Sequence, residues 1–280
     1  MPSSDLDAQF LAVPGARLYY ERRGAGPLLL LIGSPMDSSG FTGLAHALAD
    51  RYTVVTYDPR GIGRSTREDT TQDITPEQQA DDIHRLLSAL GGGPADIFGS
   101  SGGAVVGLAL VTAPPGDVRT LVAHEPPVIG LLPDGDQVRA QFQDVYDTYQ
   151  VDGVAQAMPK FMAHAGLDEP PGQEQPGAPA WQPTPEQAAA MRADAELFLA
   201  HLLRPTTNYR PDIDTLRAAA PRIVVGVGAT SKGQLAHRTA LVLADRLGPP
   251  AIEFPGDHVG FITQPAPFAQ TLHPLLTHPF

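Results

Sequence analysis

Short apolar segments alternate with amphipathic ones along most of this chain. Runs of aliphatic, β-branched and aromatic residues predict strands at residues 17–21, 28–32, 52–57, 95–98, 118–123, 222–227 and 251–254. The run at 28–32 contains no polar residue, which is typical of a strand that helices cover on both faces. Strands that alternate with helices predict an α/β fold with a mostly parallel, doubly covered sheet.

Amphipathic periodicity predicts the helices between these strands. The clearest helix begins at Thr75, which offers an N-cap, with Pro76 at the first helical position and Gln78 completing a capping box. Apolar residues then recur at helical spacing, at Ala80, Ile83, Leu86, Leu87 and Leu90. A shorter pattern at 41–49 predicts a further helix.

The segment 126–211 breaks this alternation. Helical patterns occur at 138–149 and 186–203, on either side of a Pro/Gly-rich stretch that contains the only tryptophan, Trp181. A long insertion between two strands of a sheet is typical of a lid with a flexible loop. We therefore expect a core domain formed by residues 1–127 and 211–280 and an inserted helical lid (cap) domain of residues 128–210.

Composition narrows the class of protein. A chain of 280 residues, 42% of them hydrophobic, can bury a full core. The formal charge of −12 disfavours nucleic acid and anionic membranes as partners. The chain has no cysteine, no phosphate-binding loop and no zinc-protease motif, so we expect no cofactor and no metal. Without a signal peptide or an apolar membrane segment, the expected location is cytoplasmic. The oligomeric state stays open, a homodimer included.

The most informative motif is Gly99-Ser100-Ser101-Gly102-Gly103, between a predicted strand and an apolar helical stretch. A serine in a strand–G-x-S-x-G–helix arrangement sits in a strained turn, with its hydroxyl projecting from the top of the sheet. The glycines are needed because the crowded turn leaves no room for a Cβ. The motif predicts that Ser101 is a nucleophile.

A serine hydroxyl needs a base within hydrogen-bond reach, oriented by a third group. His258 follows the last predicted strand and precedes the final helix, which brings it to the same edge of the sheet as Ser101. It is therefore the predicted base. The other eight histidines lie in predicted helices, in the lid, at a strand end or near the terminus, and we interpret them as structural.

The acidic partner of His258 is expected after the strand at 222–227, but the loop 228–232 contains no carboxylate. A helix of about eleven residues after Ser101 spans about 16 Å. The strand at 118–123 returns about 20 Å in the opposite direction. Glu125 therefore reaches the edge of the sheet one strand away from Ser101 and is the predicted acid. Asp212 and Asp214 are the reserve candidates, whereas Asp257 adjoins the imidazole too closely to turn back to it.

Acyl transfer also needs two N–H groups directed at the developing oxyanion. The N–H of Gly102, at the start of the helix, is one predicted donor. The N–H of Ser34, in the loop after the strand at 28–32, is the other, since Pro35 has none. The loop from Asp58 to Ser65 is interpreted as structural, because Asp58 lies two strands from Ser101.

These motifs resemble those of the α/β-hydrolase family along nearly the whole chain. The likeness is closest to the branch whose acid follows the sixth strand, and within it to the zearalenone lactonases. The segments that carry it are Tyr19-Tyr20-Glu21, Gly99-Ser100-Ser101-Gly102 and His124-Glu125-Pro126. The resemblance implies the α/β-hydrolase fold, a Ser101–His258–Glu125 triad, oxyanion donors at Ser34 and Gly102, and a ring-stacking contact from Trp181.

The expected function is hydrolysis of a small apolar carboxylic ester or lactone, a zearalenone-type macrolactone included. We expect lid residues to supply an apolar pocket; the candidates are Phe142, Tyr146, Tyr149, Met158, Phe161, Met162 and Trp181. A C–C bond hydrolase, a perhydrolase or an acyl transferase could use the same triad. A non-catalytic ligand-binding protein on this fold is the other alternative.

Overall fold

The computed structural model describes residues 6–91, 93–113, 116–167 and 183–277 of the chain. These residues contain one mixed sheet. Its strands are β1 (Asp7–Val13), β2 (Ala16–Arg23), β3 (Leu28–Ile32), β4 (Thr53–Tyr57), β5 (Thr66–Arg67), β6 (Ala95–Ser100), β7 (Val118–His124), β8 (Arg222–Gly228) and β9 (Ile252–Phe254). They lie in the order β1-β2-β4-β3-β6-β7-β8-β9, with β5 beside β2. The pairs β1–β2, β2–β4 and β2–β5 are antiparallel.

All the other pairs in the described sheet, from β4 to β9, are parallel. The predicted α/β fold with a mostly parallel sheet is therefore confirmed. Consecutive parallel strands bring their carboxyl ends to one edge of the sheet. The loops that follow β3, β6, β7 and β9 consequently meet above that edge.

Helices cover both faces of the sheet. The α-helices of the described chain are, in order, α1 (Thr42–Leu48), α2 (Pro76–Ala89), α3 (Gly102–Thr112), α4 (Gly135–Asp152), α5 (Val154–Ala165), α6 (Pro185–Leu197), α7 (Leu203–Asn208), α8 (Ile213–Ala218), α9 (Leu235–Leu247), α10 (Gly260–Thr263) and α11 (Pro265–Thr277). The side chains of β3 alternate between the two layers, as a doubly covered strand requires. Leu30 and Ile32 belong to the cluster of α2, α3 and α9, whereas Leu29 and Leu31 pack with α1 and α11.

The helices α4 to α7 lie between β7 and β8 in the chain, inside the segment 128–210 that the sequence analysis assigns to the lid. A π-helical turn at Phe198–Leu202 joins α6 to α7. Buried side chains of α4 and of the segment from α6 to α7 pack with Ile62 and Leu235 of the core in a separate apolar cluster. This cluster forms the roof over the carboxyl edge of the sheet.

Strand β1, the two-residue strand β5 and helix α5 are among the elements that the pattern of residues does not predict. Strand β1 lies at the edge of the sheet and leaves most of its side chains exposed or half-buried, so it lacks the apolar run of a buried strand. Helix α5 contains Pro159 in its interior, which normally argues against a helix. The differences at β1 and α5 arise because the tertiary environment, rather than local pattern, selects the structure.

The glycines of the G-x-S-x-G motif lie where backbones meet. A Cβ on Gly103 would overlap the carbonyl oxygen of Ile32 in β3, and one on Gly99 would lie 2.6 Å from the carbonyl oxygen of Gly103. Distances below 3 Å are too short for a carbon beside a carbonyl oxygen. The glycines therefore allow α3 to begin against β3 and β6, as the motif predicts.

Asp58 is fully buried and ties together the loops that follow β3 and β4. Its Oδ1 accepts hydrogen bonds from the N–H and the hydroxyl of Ser38, and its Oδ2 accepts from the N–H and Nε of Arg64, all between 2.7 and 2.9 Å. Burial alone would raise the pKa of Asp58, but the donors from Arg64 and Ser38 lower it. These contacts are those of a structural carboxylate.

Candidate active site

Ser101 adopts a strained conformation at the junction of β6 and α3. Its φ of 55° and ψ of −124° are rare for a residue with a side chain. The surrounding backbone holds it there, because its N–H donates to the carbonyl of His124 at 2.9 Å and its own carbonyl accepts from Ala104 at 3.0 Å. Strain of this kind persists at functional turns that expose a nucleophile.

Glu125 is the other non-glycine residue with a positive φ, 48°, in the described part of the chain. It follows β7 directly, its side chain is fully buried, and its N–H donates to the carbonyl of Gly226 in β8 at 3.0 Å. Two strained residues on neighbouring strands thus lie at the same edge of the sheet. Strained backbone of this kind is concentrated at functional sites, where the surrounding structure holds it in place.

The structure brings Glu125 and His258 together. The Nδ1 atom of His258 donates a hydrogen bond of 2.7 Å to Oε2 of Glu125, and both side chains are buried. Burial alone would raise the pKa of Glu125, but the hydrogen bonds from His258 and Ser231 lower it to about 2. Glu125 is therefore an anion at neutral pH. It holds the proton of His258 on Nδ1 and leaves Nε2 as the ring nitrogen that can accept a proton.

Ser101 and His258 line the same cavity. Their side chains do not share a hydrogen bond in this conformation. Hydrogen bonds of this type are often long before substrate binds and shorten in the complex. The placement of the two side chains on one cavity is the geometric basis for a nucleophile and its base.

Ser231 is a site residue that the sequence does not predict. Its hydroxyl, fully buried in the loop after β8, donates a short hydrogen bond to Oε1 of Glu125, and the N–H of Gly228 donates to the same oxygen at 2.9 Å. The loop without a carboxylate thus supplies donors to a carboxylate on the neighbouring strand. The signal in the sequence is a hydroxyl residue in a loop where an acid is expected.

Replacing Ser231 by alanine is expected to remove one donor from a buried anion and lower the free energy of unfolding by roughly 2 kcal/mol at neutral pH. The pKa of Glu125 lies below its unfolded value of 4.5, so the stability it contributes is present above about pH 4.5 and is lost as the pH falls toward 2. The difference between the two proteins should therefore shrink on acidification. Urea unfolding at neutral and acidic pH measures it.

Ser88→Ala is the matched control, because Ser88 lies on the exposed surface of α2. We expect its stability to stay within about 0.5 kcal/mol of the wild type at each pH. A loss for Ser231→Ala that is equally large in acid would contradict the role of Ser231 as a donor to the Glu125 anion.

The reserve acids lie away from His258. Asp212 is exposed and caps α8 by accepting from the N–H of Thr215 at 3.1 Å, and Asp214 is exposed on the same helix. Asp257 accepts from the N–H of Val259 at 3.0 Å. None of these three carboxylates forms a hydrogen bond or an ion pair with the imidazole in the described residues.

His124 supports the site without reaching the cavity. It is fully buried, its Nδ1 pairs with the hydroxyl of Ser100 at 3.1 Å, and its ring stacks on that of His258 with centroids 6.3 Å apart. Burial lowers the pKa of His124 to about 4, so the ring is neutral at physiological pH. Because the His124 ring is neutral, it packs against the His258 ring without repelling a positive charge on that imidazole.

The two predicted oxyanion donors belong to residues that adjoin each other on the cavity wall. Ser34 and Gly102 both line the cavity, and a Cβ on Gly102 would overlap the Ser34 carbonyl oxygen. Gly102 is the first residue of α3, so its N–H has no carbonyl partner within the helix. The hydroxyl of Ser34 donates to Gln79 at 3.1 Å. Trp181 lies outside the described residues.

The cavity has a volume of about 310 Å³ and lies between the loops at the carboxyl edge of the sheet and helices α4 to α7. Of the lid residues expected to line it, Phe142, Met158 and Phe161 do so, whereas Tyr146, Tyr149 and Met162 do not. Leu202, Leu203 and Phe198 of the π-helical turn and α7 complete the apolar roof. No group of three His, Asp or Glu side chains that could hold a metal occurs in the part of the chain that the structure describes.

Comparison with known proteins agrees with this arrangement. The sequence profile of the α/β hydrolase fold matches residues 26–161. The uncharacterized hydrolase YraK of Bacillus subtilis is 31% identical over 273 residues, which cover 95% of this chain and 94% of YraK. This chain belongs to the α/β-hydrolase family. The predicted family and fold are confirmed, and the protein is a hydrolase of the α/β fold.

Solved structures share the architecture of this hydrolase at low identity. A hydrolase from Pseudomonas aeruginosa PA01 has a TM-score of 0.72 at 22% identity, covering 97% of this chain and 99% of its own. The enol-lactonase from Burkholderia xenovorans LB400 has a TM-score of 0.69 at 18% identity, covering 96% and 100%. These similarities describe the fold alone.

None of the helices in the described part of the chain is long and apolar enough to cross a bilayer.

Proposed function

We propose that this protein is a serine hydrolase of carboxylic esters or lactones, with Ser101 as nucleophile, His258 as base and Glu125 as the orienting acid. The observation that carries the proposal is the buried hydrogen bond between Glu125 and His258 beside the cavity that Ser101 lines. A carboxylate, an imidazole and a strained serine in this order are the parts that acyl transfer requires.

The reaction follows from the position of each group. The Ser101 oxygen attacks the carbonyl carbon while Nε2 of His258 accepts the hydroxyl proton. Glu125 keeps the proton on Nδ1 and stabilises the imidazolium that forms. The N–H groups of Gly102 and Ser34 stabilise the oxyanion. The intermediate collapses as the carbon–oxygen bond to the alcohol breaks, and His258 gives its proton to that alcohol.

Hydrolysis of the acyl-enzyme repeats these steps with water. His258 accepts a proton from the water as its oxygen attacks the acyl carbon, and returns the proton to Ser101 as the acid leaves. No other reactant is needed. The strand position of Glu125 supports the branch of the family whose acid follows the sixth strand.

The apolar walls of the cavity support an apolar substrate of modest size. A volume of about 310 Å³ lies near the lower end of the range for small-molecule pockets. An apolar ester or a lactone matches these apolar walls. The most specific substrate that we propose is a zearalenone-type macrolactone. The lid of residues 128–210 is proposed as the part of the chain that selects among such molecules. The cytoplasmic location stays a prediction.

A panel of esters and lactones, with products identified by mass spectrometry, tests the proposal. We expect lactones to open to hydroxy acids and esters to yield an acid and an alcohol. Cleavage of a diketone, formation of a peracid with peroxide, or transfer of the acyl group to an added alcohol in preference to water would instead assign one of the other triad reactions. Failure of a fluorophosphonate probe to label Ser101 would indicate a non-catalytic protein.

A further inference from the structure

Asp194 is the one acidic side chain that lines the cavity in the part of the chain that the structure describes. It projects from α6 of the lid into a wall that is otherwise almost entirely apolar. Besides it, His258 is the only titratable lining residue there. Asp194 is half-buried, so solvent screens its charge in part, but the charge still acts on any ligand group placed beside it in the cavity.

Of the two oxygens of the Asp194 carboxylate, one is paired with a residue in the described part of the chain. Its Oδ1 accepts a hydrogen bond of 3.1 Å from the N–H of Gly63, in the loop after β4. Its Oδ2 has no hydrogen-bond or ion-pair partner among the described residues. This second oxygen is therefore available to a ligand in the cavity.

The charges that act on Asp194 are negative. Burial raises the pKa of Asp194 and the carboxylates of Asp37 and Asp58 raise it further, against the lowering effect of the Gly63 hydrogen bond. The charge of Asp58 is already compensated by Arg64. No cation neutralises Asp194 itself in the described structure.

The order of the strands indicates which part of a substrate Asp194 faces. Ser101 follows β6, in the middle of the sheet, and His258 follows β9, to one side of it. Gly63, whose N–H donates to Asp194, lies in the loop after β4, on the opposite side of β6 from β9. His258 protonates the leaving alcohol, so the alcohol lies on its side of Ser101. The acyl group then extends toward Asp194.

We propose that Asp194 determines acyl-group specificity, favouring acyl chains that carry a hydroxyl donor and excluding those that carry a carboxylate. The inference rests on the proposed serine hydrolase mechanism. A hydroxyl can donate to the unpaired Oδ2, whereas a second carboxylate would be repelled and would lose its own hydration in the apolar cavity. Specificity of this kind arises from repulsion as much as from attraction.

Three p-nitrophenyl esters with matched acyl chains test the proposal: the hexanoate, the ω-hydroxyhexanoate and the adipate monoester. For the wild type at mildly alkaline pH, we expect kcat/KM to fall in the order hydroxyl, methyl, carboxylate. Asp194→Asn keeps an oxygen acceptor for the N–H of Gly63 but removes the charge. It should reduce the discrimination between the hexanoate and the adipate monoester about ten- to a hundredfold.

Two further variants isolate the charge. Asp194→Glu keeps it and should keep the adipate monoester a poor substrate. Asp152→Asn removes an equal charge from the exposed end of α4 and should leave all three rates unchanged. Melting temperatures check that the lid remains folded.

The results separate this inference from the function on which it rests. Hydrolysis of the hexanoate with the same ratio of rates in the wild type and Asp194→Asn would overturn the role of Asp194 alone. Loss of discrimination in Asp194→Glu as well would also overturn it, since the charge would not be the cause. Failure of the wild type to hydrolyse any of the three esters would overturn the proposed function and the inference together.

Discussion

Replacing Ser101 by alanine is expected to lower kcat for ester hydrolysis about 10⁶-fold, leaving only the slow attack of water in the cavity. The substitution removes only the hydroxyl group. The strained turn is held by backbone hydrogen bonds to His124 and Ala104, and alanine retains both of them. Ester hydrolysis followed by absorbance measures the loss. Covalent labelling by a fluorophosphonate, observed by mass spectrometry, should disappear at the same time.

Ser100→Ala is the matched control. This adjacent serine pairs with buried His124 rather than with the base, so its loss should reduce kcat by about tenfold or less. If Ser100→Ala were inactive and Ser101→Ala retained the wild-type rate, the assignment of the nucleophile would be wrong. Circular dichroism and thermal unfolding of both variants check that the fold is kept.

The core of this fold is predictable because its signals are local. Buried parallel strands such as β3 must be apolar on both faces, and they appear in the sequence as uninterrupted apolar runs. The position of Glu125 also follows from local quantities, since a helix and a strand of known rise bring it back to the edge of the sheet. Strand β1 and helix α5 were harder to predict because exposure and an internal proline removed those signals.

Contacts between distant segments explain what the sequence does not predict in the site. Ser231 and Glu125 are 106 residues apart, and the sequence around each residue does not indicate that the two are in contact. Asp194 meets Gly63 across 131 residues, and in sequence it is one acidic residue of an exposed lid helix. Only the pairing of β7 with β8 and the packing of α6 on the loop after β4 give these side chains their partners and make their chemistry evident.

Replacing Glu125 by glutamine is expected to lower kcat about 10³–10⁴-fold while leaving the fold intact. The carboxylate at present accepts the proton on Nδ1 of His258, with Oε2 at 2.7 Å. An amide that donates to Nδ1 would favour the opposite tautomer, with the proton on Nε2, where the base must be free to accept one. The imidazolium that forms during attack would also lose its balancing charge.

The wild type and Glu125→Gln are compared over a range of pH. The pKa of Glu125 is lowered to about 2, so the wild type keeps the anion from alkaline to mildly acidic pH. The variant lacks this charge throughout, so it should be slower than the wild type at every pH in that range. Asp212→Asn, which alters an exposed helix cap, serves as the control and should retain wild-type kcat. If Glu125→Gln hydrolysed p-nitrophenyl butyrate at the wild-type rate, Glu125 would have no part in the mechanism. Neutralising a buried carboxylate that orients the base must lower the rate.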